Sequence, residues 1–132
     1  MEEFKHKALG LNGKTKIVFI AMSKKLFYFR RHAVKFVLEK GYTPISQFGI
    51  FDYFLVDSID RDLVRKANNN LIRVADELWV FGPISDGVLA EIKLVKDSKP
   101  IKYFNVENSE IDEITKDDVV FEEGLEKFSD ML

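Results

Sequence analysis

The chain of 132 residues contains no cysteine, which excludes a disulfide framework, a thiolate nucleophile and cysteine-ligated zinc. An excess of charge of either sign is also absent, because 20 Lys and Arg residues nearly balance 22 Asp and Glu residues. Nothing in the composition therefore attracts nucleic acid. No apolar run approaches the roughly 18 to 20 residues that a membrane-spanning helix needs, and the first residues lack the apolar core of a signal peptide. We expect a cytoplasmic protein that binds neither nucleic acid nor membrane.

Histidine is scarce as well, with His6 and His32 as the two examples. Neither has a second His or a pair of carboxylates at the spacing of a metal site. We therefore expect no bound metal and no cofactor.

The residues that are present are typical of one folded domain. Hydrophobic residues make up 46% of the chain and aromatic residues 13%, which favours a single packed core over disorder. Residues 2–15 are polar and include the turn sequence Gly-Leu-Asn-Gly,. We therefore divide the chain into a flexible leader, residues 1–15, and one α/β domain, residues 16–132.

Short apolar segments alternate along this domain with longer segments of helical periodicity. The predicted strands are residues 16–22, 42–45, 77–81 and 101–104,. The predicted helices are residues 23–40, residues 58 or 59 to 75, and residues 85–97,. In the second helix the expected buried stripe is Leu63, Ala67, Leu71, Val74 and Ala75,. The aromatic stretch 46–57 stays unassigned, and the acidic stretch 107–118 is expected to form a surface loop before a last short helix.

This alternation predicts the fold class. Strands joined through helices form right-handed βαβ units, so we expect a three-layer α/β/α domain of the flavodoxin or Rossmann type. Its sheet should be mainly parallel, with four or five strands. Ligands of such sheets bind beyond the carboxyl ends of the strands, near the point where the strand order reverses. The residues expected at that edge are 22–25, 46–57 and 82–87.

The segment 82–91 is the strongest candidate for chemistry, because it joins a buried strand directly to a helix. Ser85 is placed to cap that helix, and the free N–H groups of the helix start favour an anion such as a phosphate or a carboxylate. Gly87 lies one helical turn before Glu91. It leaves open space where the Glu91 carboxylate leans toward the helix start.

Glu91 falls at the margin of the apolar stripe of its helix, which is formed by Val88, Ile92 and Val95,. Burial would raise the pKa of this carboxyl group, whereas hydrogen bonds to its charged form would lower it, so its protonation state stays open. The alternative is a partly exposed Glu91 that pairs with a neighbouring lysine.

Two other polar groups near this edge have alternative interpretations. Lys24, Lys25, Arg30 and Arg31 either reach a phosphate or form a solvated helix face. Residues 68–70 are three asparagines inside a predicted helix, where amides compete for backbone hydrogen bonds,. A pocket or a partner facing them would explain their presence.

The aromatic stretch contains Phe48, Phe51, Tyr53 and Phe54. These rings either stack on a base or serve as core or subunit contacts, and a mixture of both roles is compatible with the sequence.

On these residues the chain resembles the nucleoside 2-deoxyribosyltransferase superfamily, especially its small phage and prokaryotic members. It is also similar to the deoxynucleoside 5′-monophosphate N-glycosidases. The shared motif is a strand followed by Ser or Asp, one residue, Gly, three residues and Glu, which Ser85, Gly87 and Glu91 match. Together with the run Asp-Glu-Leu-Trp-Val-Phe-Gly at residues 76–82, the resemblance spans residues 17–104.

The resemblance implies chemistry on the N-glycosidic bond of a small-molecule nucleoside or nucleotide. Glu91 would attack the anomeric carbon of a ribose or deoxyribose, and the covalently bound sugar would pass to water or to another base. Ser85, Gly87 and nearby N–H groups would bind the sugar or its 5′-phosphate. Phe48 and Phe51 would stack on the base.

Two positions depart from the family pattern. Ser23 and Lys24 stand where relatives have a Gly-Pro or similar small turn, and they become the expected ligand contacts there. Asn68 stands where relatives have an acidic residue that helps to bind the base or to supply a proton, and an amide can bind but cannot titrate. The residues that could supply the proton instead are Asp86, Asp57 and Asp60.

Three functions fit these observations. The first is an N-glycosidase or deoxyribosyltransferase with Glu91 as the nucleophile. The second is a non-catalytic nucleotide-binding module of the same fold, and the third is an interaction protein whose aromatic segment forms an oligomer contact. We expect a homo-oligomer in addition.

Overall fold

Five strands form one sheet in the computed structural model, which describes residues 1–51 and 57–132. The strands are β1 (Ile17–Met22), β2 (Thr43–Ser46), β3 (Glu77–Phe81), β4 (Ile101–Glu107) and β5 (Glu110–Ile114). Their order across the sheet is β2-β1-β3-β4-β5, and all pairs are parallel except β4 with β5. The mainly parallel sheet is thus confirmed, and its strand order reverses between β1 and β3.

Helices cover both faces of the sheet, which gives the predicted three layers. The helices are α1 (Arg30–Glu39), the single turn α2 (Gln47–Ile50), α3 (Arg61–Val74) and α4 (Asp86–Val95). On one face Ala33 and Val37 of α1 pack with Trp79 of β3. On the other face Ile72 of α3 and Val88 of α4 pack together against the sheet. Burial of these two apolar layers holds the fold together.

The first helix begins later than the sequence predicts. Residues 24–29 form a 3₁₀ helix in which Leu26 has the non-helical torsion angles φ −99° and ψ 19°, and α1 begins only at Arg30. Aromatic side chains lose rotamer freedom in an α-helix, and three of them in succession precede α1,. The predicted end is confirmed, because Gly41 adopts a φ of 86° just after the helix,.

The third helix also differs from its prediction, both in its start and in its buried face. Asp60 caps it by accepting a hydrogen bond from the Asp62 backbone N–H, so the helix begins at Arg61,. Leu63 and Val74, expected in the buried stripe, are 61% and 59% exposed. Leu71 and Ala75 pack against the core as predicted, and Ala75 is buried. Ile72 and Asn68, which were not in the predicted stripe, also face inward,.

The acidic stretch 107–118 was expected to be a loop, and this prediction was wrong. It contains β5, which pairs with β4 as a hairpin in register Glu107 with Glu110. Asn108 and Ser109 form the two-residue turn with φ of 52° and 65°. Positive φ at both central residues is the geometry of a type I′ turn, which matches the twist of the two strands.

The segment after β5 returns to the carboxyl edge of the sheet. The Ile84 N–H donates to the Val120 carbonyl at 2.8 Å, and the Glu122 N–H donates to the Ile84 carbonyl at 2.9 Å. Ile84 also forms a parallel bridge with Phe121. The predicted last helix follows as a 3₁₀ helix, Glu126–Met131. This pairing brings the backbone of Glu122 beside Ile84, which precedes the cap of α4.

The leader, residues 1–15, is exposed and contains one 3₁₀ turn, Lys7–Gly10. Within residues 1–51 and 57–132, no helix combines the length and apolar character needed to cross a bilayer. Tyr53 and Phe54 of the aromatic stretch lie outside the described residues.

Candidate functional site

The start of α4 carries the capping geometry that its sequence indicates. Ser85 Oγ accepts a hydrogen bond from the Val88 N–H at 3.3 Å, and Ser85 has extended torsion angles, φ −88° and ψ 173°. Asp86 Oδ1 accepts a hydrogen bond from the Gly87 N–H at 2.8 Å. Two N–H groups of the helix start are therefore bonded to side chains of the same segment, one of them a carboxylate.

Glu91 lies deeper than its sequence position indicates. Its residue is 6% exposed, and its Oε2 accepts a hydrogen bond from Asn68 Nδ2 of α3 at 2.8 Å. The alternative of a partly exposed Glu91 paired with a lysine is therefore wrong. The hydrogen bond joins α3 to α4 beside the apolar core to which both helices contribute.

This environment changes the acidity of Glu91. Burial raises the pKa of the Glu91 carboxyl group from its ordinary value of 4.5 to about 7, although the hydrogen bond from Asn68 opposes the increase. Desolvation disfavours the charged carboxylate, whereas a donor to the carboxylate stabilises it. Near neutral pH, Glu91 therefore exists as a mixture of its charged and neutral forms.

Two buried oxygen atoms at this position are left without hydrogen-bond partners. They are Glu91 Oε1 and Asn68 Oδ1. A buried polar atom without a partner costs roughly 1 to 3 kcal/mol, and such atoms are few in native proteins. Both atoms therefore lack a protein partner while also being shielded from solvent.

Gly87 lies one turn before Glu91 on the same helix, and a Cβ added there would have no atom within 4 Å. Gly87 itself is exposed, whereas Glu91 is buried, so the open position beside Gly87 faces solvent. Substrate contact at Gly87 stays a prediction.

Ser23 lies at the carboxyl end of β1, next to the point where the strand order reverses. It is 3% exposed, and its Oγ donates to Glu122 Oε2 at 2.6 Å while accepting from the Lys25 N–H at 3.2 Å. The Lys25 ammonium group lies 3.7 Å from Glu122 Oε1. Sequence reasoning missed Glu122, because it is separated from Ser23 by 99 positions and belongs to no local motif.

The loop after β1 is packed over the end of β3. Gly82 has a φ of 76°, and a Cβ added there would lie 2.4 Å from Leu26 Cδ1. Leu26 therefore fills the space over Gly82 that a small turn after β1 would leave open.

The aromatic and basic candidates lie elsewhere on the edge. Phe48 packs edge-on against Phe27, with ring centroids 5.6 Å apart, and belongs to the core on the α1 face. It also lines a surface cavity of about 360 Å³ together with Arg30 and Arg31. Glu91 belongs to the opposite face, so the structure does not bring Phe48 together with it.

The structure assigns no ligand contact to the remaining candidate residues. Lys24 is exposed and Phe51 is half-buried. Asp57 is exposed, and Asp60 is engaged in capping α3. Ligand contact by Lys24, Phe48 and Phe51 remains a prediction. Across the described residues, no group of three or more His, Asp or Glu side chains is arranged as a metal site.

Two solved structures have folds similar to that of this chain. A 2-desoxiribosyltransferase from Leishmania mexicana is 15% identical, with a TM-score of 0.53, and the match covers 70% of this chain but only 65% of that protein. The CMP N-glycosidase BcmB of Clostridium botulinum is 25% identical, with a TM-score of 0.50, and the match covers 70% of this chain and 71% of that protein. The chain therefore has a nucleoside 2-deoxyribosyltransferase-like fold.

A comparison with curated proteins finds no match. A family model described as a domain of unknown function, DUF7768, matches residues 20–104. Because the match includes the end of β1, the aromatic stretch, α3 and the Ser85-to-Glu91 segment, it covers the whole candidate site except Glu122. The chain belongs to the DUF7768 family.

Proposed function

We propose that this protein cleaves or transfers the N-glycosidic bond of a nucleoside or nucleotide, with Glu91 as the nucleophile. One observation carries the proposal: a buried carboxylate has one oxygen held by Asn68 Nδ2 at 2.8 Å, while its other oxygen has no partner. The nucleoside 2-deoxyribosyltransferase-like fold supports chemistry on this type of bond.

The hydrogen bond from Asn68 orients the Glu91 carboxylate for attack. With Oε2 engaged, Oε1 is the atom that forms the bond to the anomeric carbon of the sugar, from the side opposite to the base. As this bond forms, the bond between the sugar and the base nitrogen breaks, and its electron pair remains on the base. Protonation of the base completes its departure, and water or a second base then displaces Glu91 from the sugar.

The proton for the leaving base comes from a group other than Asn68, since an amide does not titrate. Asp86 is the candidate on the same helix as Glu91, and its carboxylate is held at the helix start by the Gly87 N–H at 2.8 Å. Asp60 is bonded to the Asp62 N–H as the cap of α3, which ties its carboxylate to that helix. Both carboxylates accept a backbone N–H at a helix start, so these contacts do not distinguish Asp86 from Asp60 as the proton donor,.

Attack requires the charged form of Glu91. Because the pKa of Glu91 is raised to about 7, its charged fraction increases as pH rises through neutrality. Base release should therefore increase between about pH 6 and about pH 8 before any other group limits it.

A second candidate function is nucleotide binding without cleavage by the same site. The observation that favours it is the amide of Asn68, whose Oδ1 offers an acceptor to a ligand but no proton. The binding function predicts thermal stabilisation by a nucleoside or nucleotide without release of the base, since a ligand that binds only the folded state stabilises it.

The test is chromatographic detection of free base after incubation with nucleosides and 5′-monophosphates. The wild type should release base, and Glu91→Gln should abolish release because the amide is not a nucleophile. Glu39→Gln is the matched control, since Glu39 is exposed at the end of α1. Equal release by the wild type and Glu91→Gln would remove Glu91 from the mechanism.

A further inference from the structure

A surface cavity of about 360 Å³ lies on the α1 face of the sheet, where β2 ends and α2 begins. Its lining consists of two arginines, a serine and three apolar or small residues: Arg30, Arg31, Ser46, Val34, Phe48 and Gly49. The volume falls at the lower end of the range of about 300 to 1,000 Å³ that is usual for small-molecule pockets. Glu91 belongs to α4 and bonds to α3 on the other face, so this cavity is separate from the group proposed for catalysis.

The guanidinium group of Arg30 is held in place by the protein. Its Cζ lies 3.8 Å from the centroid of the Phe27 ring, and its Nη1 donates a hydrogen bond to the Phe27 carbonyl at 2.9 Å. The Phe27 ring in turn packs edge-on against Phe48. A guanidinium group that is already ordered loses little conformational entropy when it binds a ligand. Arg30 has five N–H donors, so most of them remain for a ligand in the cavity.

The charge around the cavity is positive. Within residues 1–51 and 57–132, neither Arg30 nor Arg31 forms an ion pair with a carboxylate. Residues 4–38, which include β1 and nearly all of α1, contain nine Lys and Arg residues and no Asp or Glu. Ser46 precedes α2 but makes no side-chain capping bond to it. A concave surface with charge of one sign concentrates ligands of the opposite sign, so the cavity favours an anion.

We propose that this cavity binds a small phosphate monoester, with the phosphate on Arg30 and Arg31 and the apolar part of the ligand against Phe48. Near neutral pH a phosphate monoester carries between about 1.5 and 2 negative charges, which two guanidinium groups balance, whereas a carboxylate carries a single charge. The planar fork of each guanidinium group also matches the spacing of phosphate oxygens. The half-buried Phe48 ring supplies an apolar contact that inorganic phosphate does not use,.

The test measures the dissociation constants of phenyl phosphate, inorganic phosphate and phenol by isothermal titration calorimetry. The wild type should bind phenyl phosphate at least about tenfold more tightly than either smaller probe, because only phenyl phosphate engages both the arginines and Phe48. Arg31→Gln removes one charge-assisted contact at an exposed residue and should weaken phenyl phosphate binding by about tenfold or more,. The matched control Lys35→Gln removes a charge from an exposed position of α1 outside the cavity and should weaken it by less than about twofold,.

A variant of the apolar wall tests the other half of the ligand. Phe48→Leu keeps an apolar side chain but removes the ring. It should weaken the binding of phenyl phosphate and leave the binding of inorganic phosphate unchanged. Equal affinity of the wild type for phenyl phosphate and inorganic phosphate would overturn the assignment of an organic ligand.

The remaining outcomes separate this site from the Glu91 site. Absence of phenyl phosphate binding by the wild type overturns the proposal, as does binding that Arg31→Gln leaves unchanged. Equal losses in Arg31→Gln and Lys35→Gln would reveal a general attraction to the basic surface and also overturn it. Glu91→Gln should bind phenyl phosphate as the wild type does, because Glu91 lies on the opposite face. A loss of binding in Glu91→Gln would contradict a separate site, whereas absence of base release bears only on the proposed function.

Discussion

Burial of Glu91 predicts that the protein becomes less stable as pH rises through neutrality. The pKa of Glu91 is about 7 in the folded protein against an ordinary value of 4.5, so between these values the folded state binds more protons than the unfolded state. The free energy of unfolding therefore decreases with increasing pH in this window. At about 1.4 kcal/mol per pH unit, the decrease amounts to about 3 kcal/mol in total.

Glu91→Gln removes this dependence, because the amide does not titrate. Urea unfolding of both proteins between about pH 5 and about pH 8.5 gives the difference in unfolding free energy at each pH, in which the other titrating groups cancel. We expect Glu91→Gln to gain stability relative to the wild type by about 2 to 3 kcal/mol over this range. Glu39→Gln, at an exposed position, should show no such gain. A difference between wild type and Glu91→Gln that is constant with pH would refute the burial argument.

Three further predictions concern contacts around the site. Asn68→Ala removes the donor to Glu91 Oε2, a hydrogen bond that lowers the pKa of Glu91. The pH at which base release is half-maximal should therefore rise by about one unit. The control Asn69→Ala, at an exposed position, should leave this pH unchanged. Lys99→Met removes the hydrogen bonds that Lys99 Nζ donates to the carbonyls of Ile72, Arg73 and Ala75, at 2.8, 2.6 and 2.6 Å. Chemical denaturation should show that the free energy of unfolding decreases by about 1 to 2 kcal/mol. The control Lys93→Met should show no such decrease. Gly82→Ala and Gly41→Ala both place a side chain at positive φ, which costs about 1 to 2 kcal/mol. Thermal unfolding should show a larger decrease in melting temperature for Gly82→Ala than for Gly41→Ala, because an added side chain at Gly82 also meets Leu26.

The parts of the fold that follow local patterns could be predicted from the sequence. β3 and the Ser85 cap depend on a continuous apolar run and on a Ser placed before a helix, and both signals lie within a few residues. The β4–β5 hairpin was missed because β5 is acidic and the turn is Asn-Ser rather than a glycine-containing pair,. The buried face of α3 was predicted correctly at Leu71 and Ala75 but not at Ile72 and Asn68, because a polar Asn68 interrupts the apolar pattern.

The candidate site could be predicted only where it follows the helix period. The spacing of Gly87 and Glu91 predicts that they lie one turn apart on α4, and Ser85 is recognisable as the cap of that helix,. The contacts of Asn68 with Glu91 and of Ser23 with Glu122 join residues 23 and 99 positions apart. Such contacts depend on how helices and the chain end pack against the sheet, and no local pattern encodes them.

The most direct measurement of the central claim is the mass of the protein after reaction with a nucleoside whose 2′ position carries fluorine. Fluorine destabilises the positive charge that develops on the sugar, so both steps slow and the covalent intermediate accumulates. We predict an added sugar on the proteolytic peptide that contains Glu91, and no addition in Glu91→Gln. Base release that proceeds without any adduct in the wild type, and persists in Glu91→Gln, would contradict the account.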